Sequence, residues 1–137
     1  MESGFGWAPF GRTTAMSETP APTSAIPARR LAVVTCMDAR VDPLRALGLQ
    51  LGDAHVIRNA GALVSEDVLR SLEASRAVGG TTAVVIVAHS DCRAHDGDDD
   101  AARAAARAGV ERVRAELPAL AASGVLYDLT SGRVSPV

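Results

Sequence analysis

The 137-residue chain contains no lysine; all fourteen of its basic side chains are arginines. Schiff-base catalysis and a Walker-type phosphate loop both need a lysine amine, so both are excluded. Nor is there a basic excess: the formal net charge of −2 leaves nothing with which to neutralise a phosphate backbone, which argues against nucleic acid as a partner. Long apolar runs are missing too. The longest, AVVIVA at 83–88, is far short of the ~20 residues that a membrane-spanning helix requires, so no membrane role is expected. Arg29-Arg30 precede an apolar segment too short for a twin-arginine signal, and a cytoplasmic location is expected. Cysteine is limited to two residues. In a reducing compartment a disulfide is disfavoured, which leaves metal binding or a buried structural thiol as the readings for Cys36 and Cys92.

What is present is an ordinary globular composition, 47% apolar and 22% charged, enough for one domain. Residues 1–30 are rich in Gly, Pro, Ser and Thr, and TPAPTSAIPARR reads as a flexible or polyproline-like lead-in. Phe5, Trp7 and Phe10 stand out within it. They fit either a disordered leader, with Met16 as a second possible start, or an arm that docks on a partner subunit. The domain is expected over residues 31–137. LAVVTC (31–36), AHVIRNAG (54–61) and TAVVIVAH (82–89) read as strands, the last apolar on both faces and therefore central. Asp42-Pro43 opens a short helical turn. Ser65 caps a helix to about Val78, closed by Gly79-Gly80. The acidic run DGDDD (96–100) caps a long Ala/Arg helix ending near Pro118. Its D-x-D-x-D pattern (Asp96, Asp98, Asp100) lacks the glutamate a calcium loop would need. VLYDLTSGRVSPV reads as a strand, a Ser-Gly turn and a short return strand. The expected fold is α/β, a central mostly parallel β-sheet flanked by helices, with that short C-terminal return strand.

In such sheets ligands gather at the carboxyl ends of strands. Cys36 closes the first strand, and the H-x-x-C pair His89 and Cys92 follows the third. Adjacent parallel strands would bring the three together as a Cys₂His set, which suits zinc and leaves a fourth coordination position open for chemistry. The segment CMDAR (36–40) adds Asp38 and Arg40, at alternate positions that face the same way as Cys36 in an extended loop. Arg40 can grip Asp38 by a two-pronged hydrogen bond, and the carboxylate can orient a water beside the metal or bind the metal itself. An ordinary surface ion pair is the alternative for these two residues.

With CMDAR (36–40), GDAHVIRNAG (52–61), SLEASRAVGGTTAVVIVAHSDC (71–92) and LYDLTSGRV (126–134), the chain resembles the β-class carbonic anhydrases. The resemblance implies zinc held by Cys36, His89 and Cys92, and an Asp38–Arg40 dyad. It also implies reversible hydration of carbon dioxide to bicarbonate and a proton, and a homodimer or higher homo-oligomer with sites near the subunit boundary. Asp38 as a fourth ligand would give a closed form of the site. Members typically read H-[ST]-D-C-G, whereas Arg93 and Ala94 follow Cys92 here. Arg93 either crosses the pocket or points outward from a helix start. The short stretch from Ala94 to Ala101, and the lead-in where members carry N-terminal helices, imply a less enclosed site. His55 matches a common family residue with a structural role, and His95 is either a solvated loop residue or a proton carrier. Two alternatives to carbon dioxide hydration stand beside it: hydrolysis of carbonyl sulfide or carbon disulfide, and a non-catalytic zinc-binding protein.

Overall fold

The computed structural model describes residues 19–137; Phe5, Trp7, Phe10 and Met16, with the leader-or-arm question they raise, lie outside the described residues. Five strands form one sheet: β1 (Leu31–Cys36), β2 (Ala54–Asn59), β3 (Ala83–His89), β4 (Ala121–Tyr127) and β5 (Val134–Pro136). Their order is β2-β1-β3-β4-β5. The first four are mutually parallel, and β5 returns antiparallel to β4. This is the α/β architecture expected, including the return strand. β1 and β3 lie at its centre, and Ala32, Val33, Val34 and Thr35 of β1 are completely buried. That is why their sequence runs apolar without alternation.

Local chemistry sets the helix ends. In α1 (Pro43–Leu47), the Asp42 carboxylate accepts from the Leu44 and Arg45 amides, and Gly48 closes the turn in the left-handed region. Ser65 caps α2 (Glu66–Gly79) through the Val68 amide, with Gly80 left-handed at its end. Asp98 caps α3 (Asp99–Glu116) by accepting from the Asp100 and Ala101 amides. The acidic run therefore serves the helix start.

α2 and α3 share one core cluster with the central strands. Val68, Leu69 and Leu72 of α2 join Ala102, Ala106, Val110 and Val113 of α3 over Ala32, Val34, Val84 and Ile86. Burying a Leu, Ile or Val in such a cluster contributes ~1.5–3 kcal/mol each. The inner face of α3 is built of small residues, which lets the helix approach β3 closely. A Cβ added at Gly109 would stand 2.7 Å from Val64 Cγ2 and 3.0 Å from Ile86 Cδ1.

Ahead of β1 the backbone is already fastened to the domain. Ala28 and Arg29 donate to the carbonyls of Gly52 and Asp53, and Pro27 is buried. His55 Nε2–H donates to Ala25 O at 2.9 Å, so Nδ1 is the acceptor for the Ser75 hydroxyl at 2.7 Å. The favoured structural reading of His55 matches these bonds.

Candidate metal centre

The site lies where the two central strands end. β1 and β3 are parallel neighbours in the register Thr35↔Val87, and the buried Thr35 hydroxyl donates to Val87 O across them at 3.0 Å. Cys36, the last residue of β1, therefore lies beside His89 at the end of β3 and the loop that carries Cys92. The two sulfurs are 3.9 Å apart, and the potential ligand atoms of all three residues lie within 4.8 Å of one another. Both thiols are free and buried.

His89 is 1% exposed and completes the set. Its Nδ1 lies 2.8 Å from the Ser90 carbonyl, which can only accept, so Nδ1 carries the proton and Nε2 presents a bare lone pair. That Nε2 is buried with no hydrogen-bond partner among the described residues. An orphaned base of this kind is unfavourable in an apolar interior unless something electrophilic sits before it. Two soft sulfur donors and one imidazole nitrogen, converging within bonding reach of one centre, are the donor set zinc prefers. Burial pushes the Cys92 thiol up, against the Ala94 and His95 amides that pull it down. A cation at this point would reverse the effect of burial by favouring the thiolate.

The turn after β2 braces Cys36. Gly61 N–H donates to Cys36 Sγ at 3.4 Å, from a backbone at φ +90° that favours glycine. A Cβ there would meet His95 Nε2 at 2.9 Å. His95 itself donates from Nε2 to Gly61 O at 3.0 Å. It therefore ties the loop after β3 to the turn after β2, a role that neither the solvated nor the proton-carrying reading anticipated. Asn59 pins the same turn through both the N–H and the carbonyl of Leu63. Arg58 holds the loop that follows Cys36, donating to the carbonyls of Cys36, Asp38 and Val41 at 2.8–2.9 Å.

Asp38 and Arg40 meet as the spacing implies. Arg40 Nε donates to Asp38 Oδ1 at 3.0 Å and Nη2 to Oδ2 at 2.8 Å, while the Arg40 amide adds a third bond to Oδ1. These bonds hold the Asp38 carboxyl far below the usual carboxylate range, so it is ionised at any ordinary pH. Asp38 Oδ2 is 3.7 Å from the orphaned His89 Nε2. Arg40 reaches further, to Asp91 Oδ2 at 3.1 Å and Asp91 O at 3.0 Å. Arg93 points outward: its side chain is 76% exposed and pairs with Asp91 Oδ1 at 3.3 Å. A cavity of about 280 Å³ lined by Cys36, Met37, Asp38, Ala60, Arg93 and Ala94 opens beside the donor set.

The five residues read from sequence as ligands and dyad are thus brought together in one place. Arg58 and Asp91 were not singled out by sequence reasoning. Arg58 lies inside the RNAG segment and Asp91 inside H-x-x-C, so motif membership was the signal that could have found them.

Three comparisons bear on this geometry. The family model described as carbonic anhydrase matches residues 31–123. The β-carbonic anhydrase 1 of Mycobacterium tuberculosis is 50% identical over 66 residues, which cover 48% of this chain and 40% of that protein. A carbon disulfide hydrolase from an Acidianus species is 47% identical over 64 residues, covering 47% of this chain and 31% of the relative. The chain thus spans well under half the length of these curated relatives. Among solved structures, the carbonic anhydrase of Streptococcus mutans superposes with a TM-score of 0.77 at 32% identity, covering 87% of both chains. A family match that runs from the first strand into the fourth takes in every residue of the donor set, and on it the chain belongs to the β-carbonic anhydrase family.

Proposed function

We propose that the protein is a zinc-dependent carbonic anhydrase catalysing CO₂ + H₂O ⇌ HCO₃⁻ + H⁺, with residues 31–137 as its zinc domain and residues 1–30 as a lead-in. The observation that carries the reading is the buried, unpartnered Nε2 of His89, set among two thiols with the Asp38 carboxylate 3.7 Å away. A structural metal would need the first three groups and not the fourth.

Cys36, His89 and Cys92 would hold the metal. Zinc bound there supplies a Lewis acid that makes water nucleophilic near neutral pH. The chain's own groups do the rest. Asp38, ionised and acceptor-only, takes a hydrogen bond from a water entering the cavity and so turns the water's lone pair away from itself, toward the substrate. Arg40 fixes that carboxylate in position and keeps it from taking up the proton. Met37, Ala60 and Ala94 give the cavity apolar walls, suited to a small linear molecule without a permanent dipole.

The reaction should be measured by stopped-flow hydration of carbon dioxide on the zinc-loaded chain. A rate no greater than that of a matched Cys36→Ser control would end the enzyme reading in favour of a non-catalytic zinc protein. The similarity to a carbon disulfide hydrolase supports a second substrate with the same linear shape. Sulfide release from carbon disulfide, exceeding hydration of carbon dioxide under the same conditions, would make it the principal one.

The proposal also places the protein in the cytoplasm, where two free thiols 3.9 Å apart stay reduced. It makes the working form a homodimer or larger. Large apolar side chains remain exposed on the single chain, Val78 at 84%, Leu51 at 67% and Met37 at 65% among them.

A further inference from the structure

Arg40 is gripped from two sides. On one side its Nε and Nη2 hold Asp38; on the other, Nη1 donates to the Asp91 carboxylate and Nη2 to the Asp91 carbonyl. Asp38 lies on the loop after β1 and Asp91 on the loop after β3, so Arg40 staples together the two loops that follow Cys36 and His89. Asp91 is itself held firmly. Its backbone is left-handed at φ +53°, which is uncommon for a residue other than glycine, and its amide donates to Asp99 Oδ1 at 2.9 Å at the start of α3. Arg93 closes the far side of the Asp91 carboxylate.

Resting on the metal-centre reading above, we propose that Asp91 is a positioning residue that biases the site toward its open form. A guanidinium bound only to Asp38 could travel with it, and the pair could then shift together toward His89 Nε2 and the sulfurs. Anchoring Arg40 to Asp91 removes that freedom: the fork faces Asp38 from a fixed point, and the carboxylate is kept from becoming a fourth ligand. The carbonyl contact from Asp91 survives any substitution there, so the side chain contributes the Nη1 bond alone. Both partners are about half exposed, 47% for Arg40 and 44% for Asp91, which bounds its strength to that of a surface pair. Arg93, more exposed still, is an outer brace whose loss matters less than that of Asp91.

The test uses the full chain loaded with cobalt(II) in place of zinc and titrated with azide, which binds an open metal position and changes the visible absorption. Asp91→Gly removes the carboxylate while keeping a residue suited to the left-handed backbone. It should weaken azide binding about three- to fivefold, the worth of a half-exposed charge pair, with cobalt stoichiometry unchanged. Loss of a negative charge near the metal would by itself tighten azide, so the direction separates positioning from simple electrostatics. Asp91→Asn retains an acceptor oxygen and should fall between the parent and the glycine variant. In an Asp38→Ala background the weakening by Asp91→Gly should vanish, leaving no change or the slight electrostatic tightening, because no carboxylate remains to be held off. Unchanged or tighter azide binding in Asp91→Gly, or an equal weakening in the Asp38→Ala background, would overturn the proposal, as would a parent protein that binds no azide. Carbon dioxide hydration is read separately. An inactive parent whose azide affinity still depends on Asp91 through Asp38 would remove the enzyme reading and leave this inference standing.

Discussion

Arg40 is a single side chain between two carboxylates, and its removal separates binding from chemistry. Arg40→Ala should leave zinc in place, since the guanidinium bonds to Asp38 and Asp91 and to none of Cys36, His89 and Cys92, yet should lower the hydration kcat/KM about a hundredfold by releasing Asp38 from its orienting geometry. Zinc content and stopped-flow rates measured on one preparation check both halves. An active variant at the parent rate across pH 6–9 would return Asp38 and Arg40 to the status of an ordinary ion pair. Gly61 tests the support beneath Cys36. A methyl group there would meet His95 Nε2 at 2.9 Å on a backbone at φ +90°, so Gly61→Ala should cost about 1–3 kcal/mol of stability, read from the urea midpoint. It should also weaken metal retention, because the Gly61 amide points at Cys36 Sγ.

Helices and strands respond to their caps and close contacts. Asp98→Ala removes the acceptor for the Asp100 and Ala101 amides and should destabilise the fold by ~1 kcal/mol, whereas Asp100→Ala, whose side chain makes an exposed pair with Arg103, should stay within ~0.5 kcal/mol. Chemical denaturation of the two variants in parallel separates the cap from the rest of the acidic run. These elements were legible in the sequence because their signals are local: uninterrupted Val and Ile in β1 and β3, Ser65 and Asp98 before helical spacing, glycine after α2. The clustering of Cys36, His89 and Cys92 was legible too, since strand ends are where such sheets place chemistry. What the sequence hid is long-range and polar. Arg58 reaching three carbonyls, Asp91 joined to Arg40 across fifty-one positions, and His95 closing on Gly61 have no periodicity to announce them. β4 was legible only in part: Ala121, Ala122, Ser123 and Gly124 have weak strand preference and are strand here because β3 offers a ladder beside them.

The molecule as a whole is a small domain with an exposed apolar fraction, and sedimentation at micromolar concentration should find a dimer or larger assembly; a monomer alone would remove the proposed working form. Elemental analysis should return about one zinc per chain, and stripping it should lower the melting temperature by at least ~5 °C, because the ion binds a donor set that only the folded chain assembles. That assembly depends on one alignment. β1 and β3 are joined side by side although α1, β2 and α2 intervene between them, and the Thr35 hydroxyl bond to Val87 O fastens their pairing. A slip of one residue between these strands would turn Cys36 to the opposite face while leaving a plausible sheet behind. On the proposed reading, metal capture would therefore act as a proofreader of strand registry: a misaligned chain would be denied the ion and its stabilisation, and only the correctly threaded one would be retained.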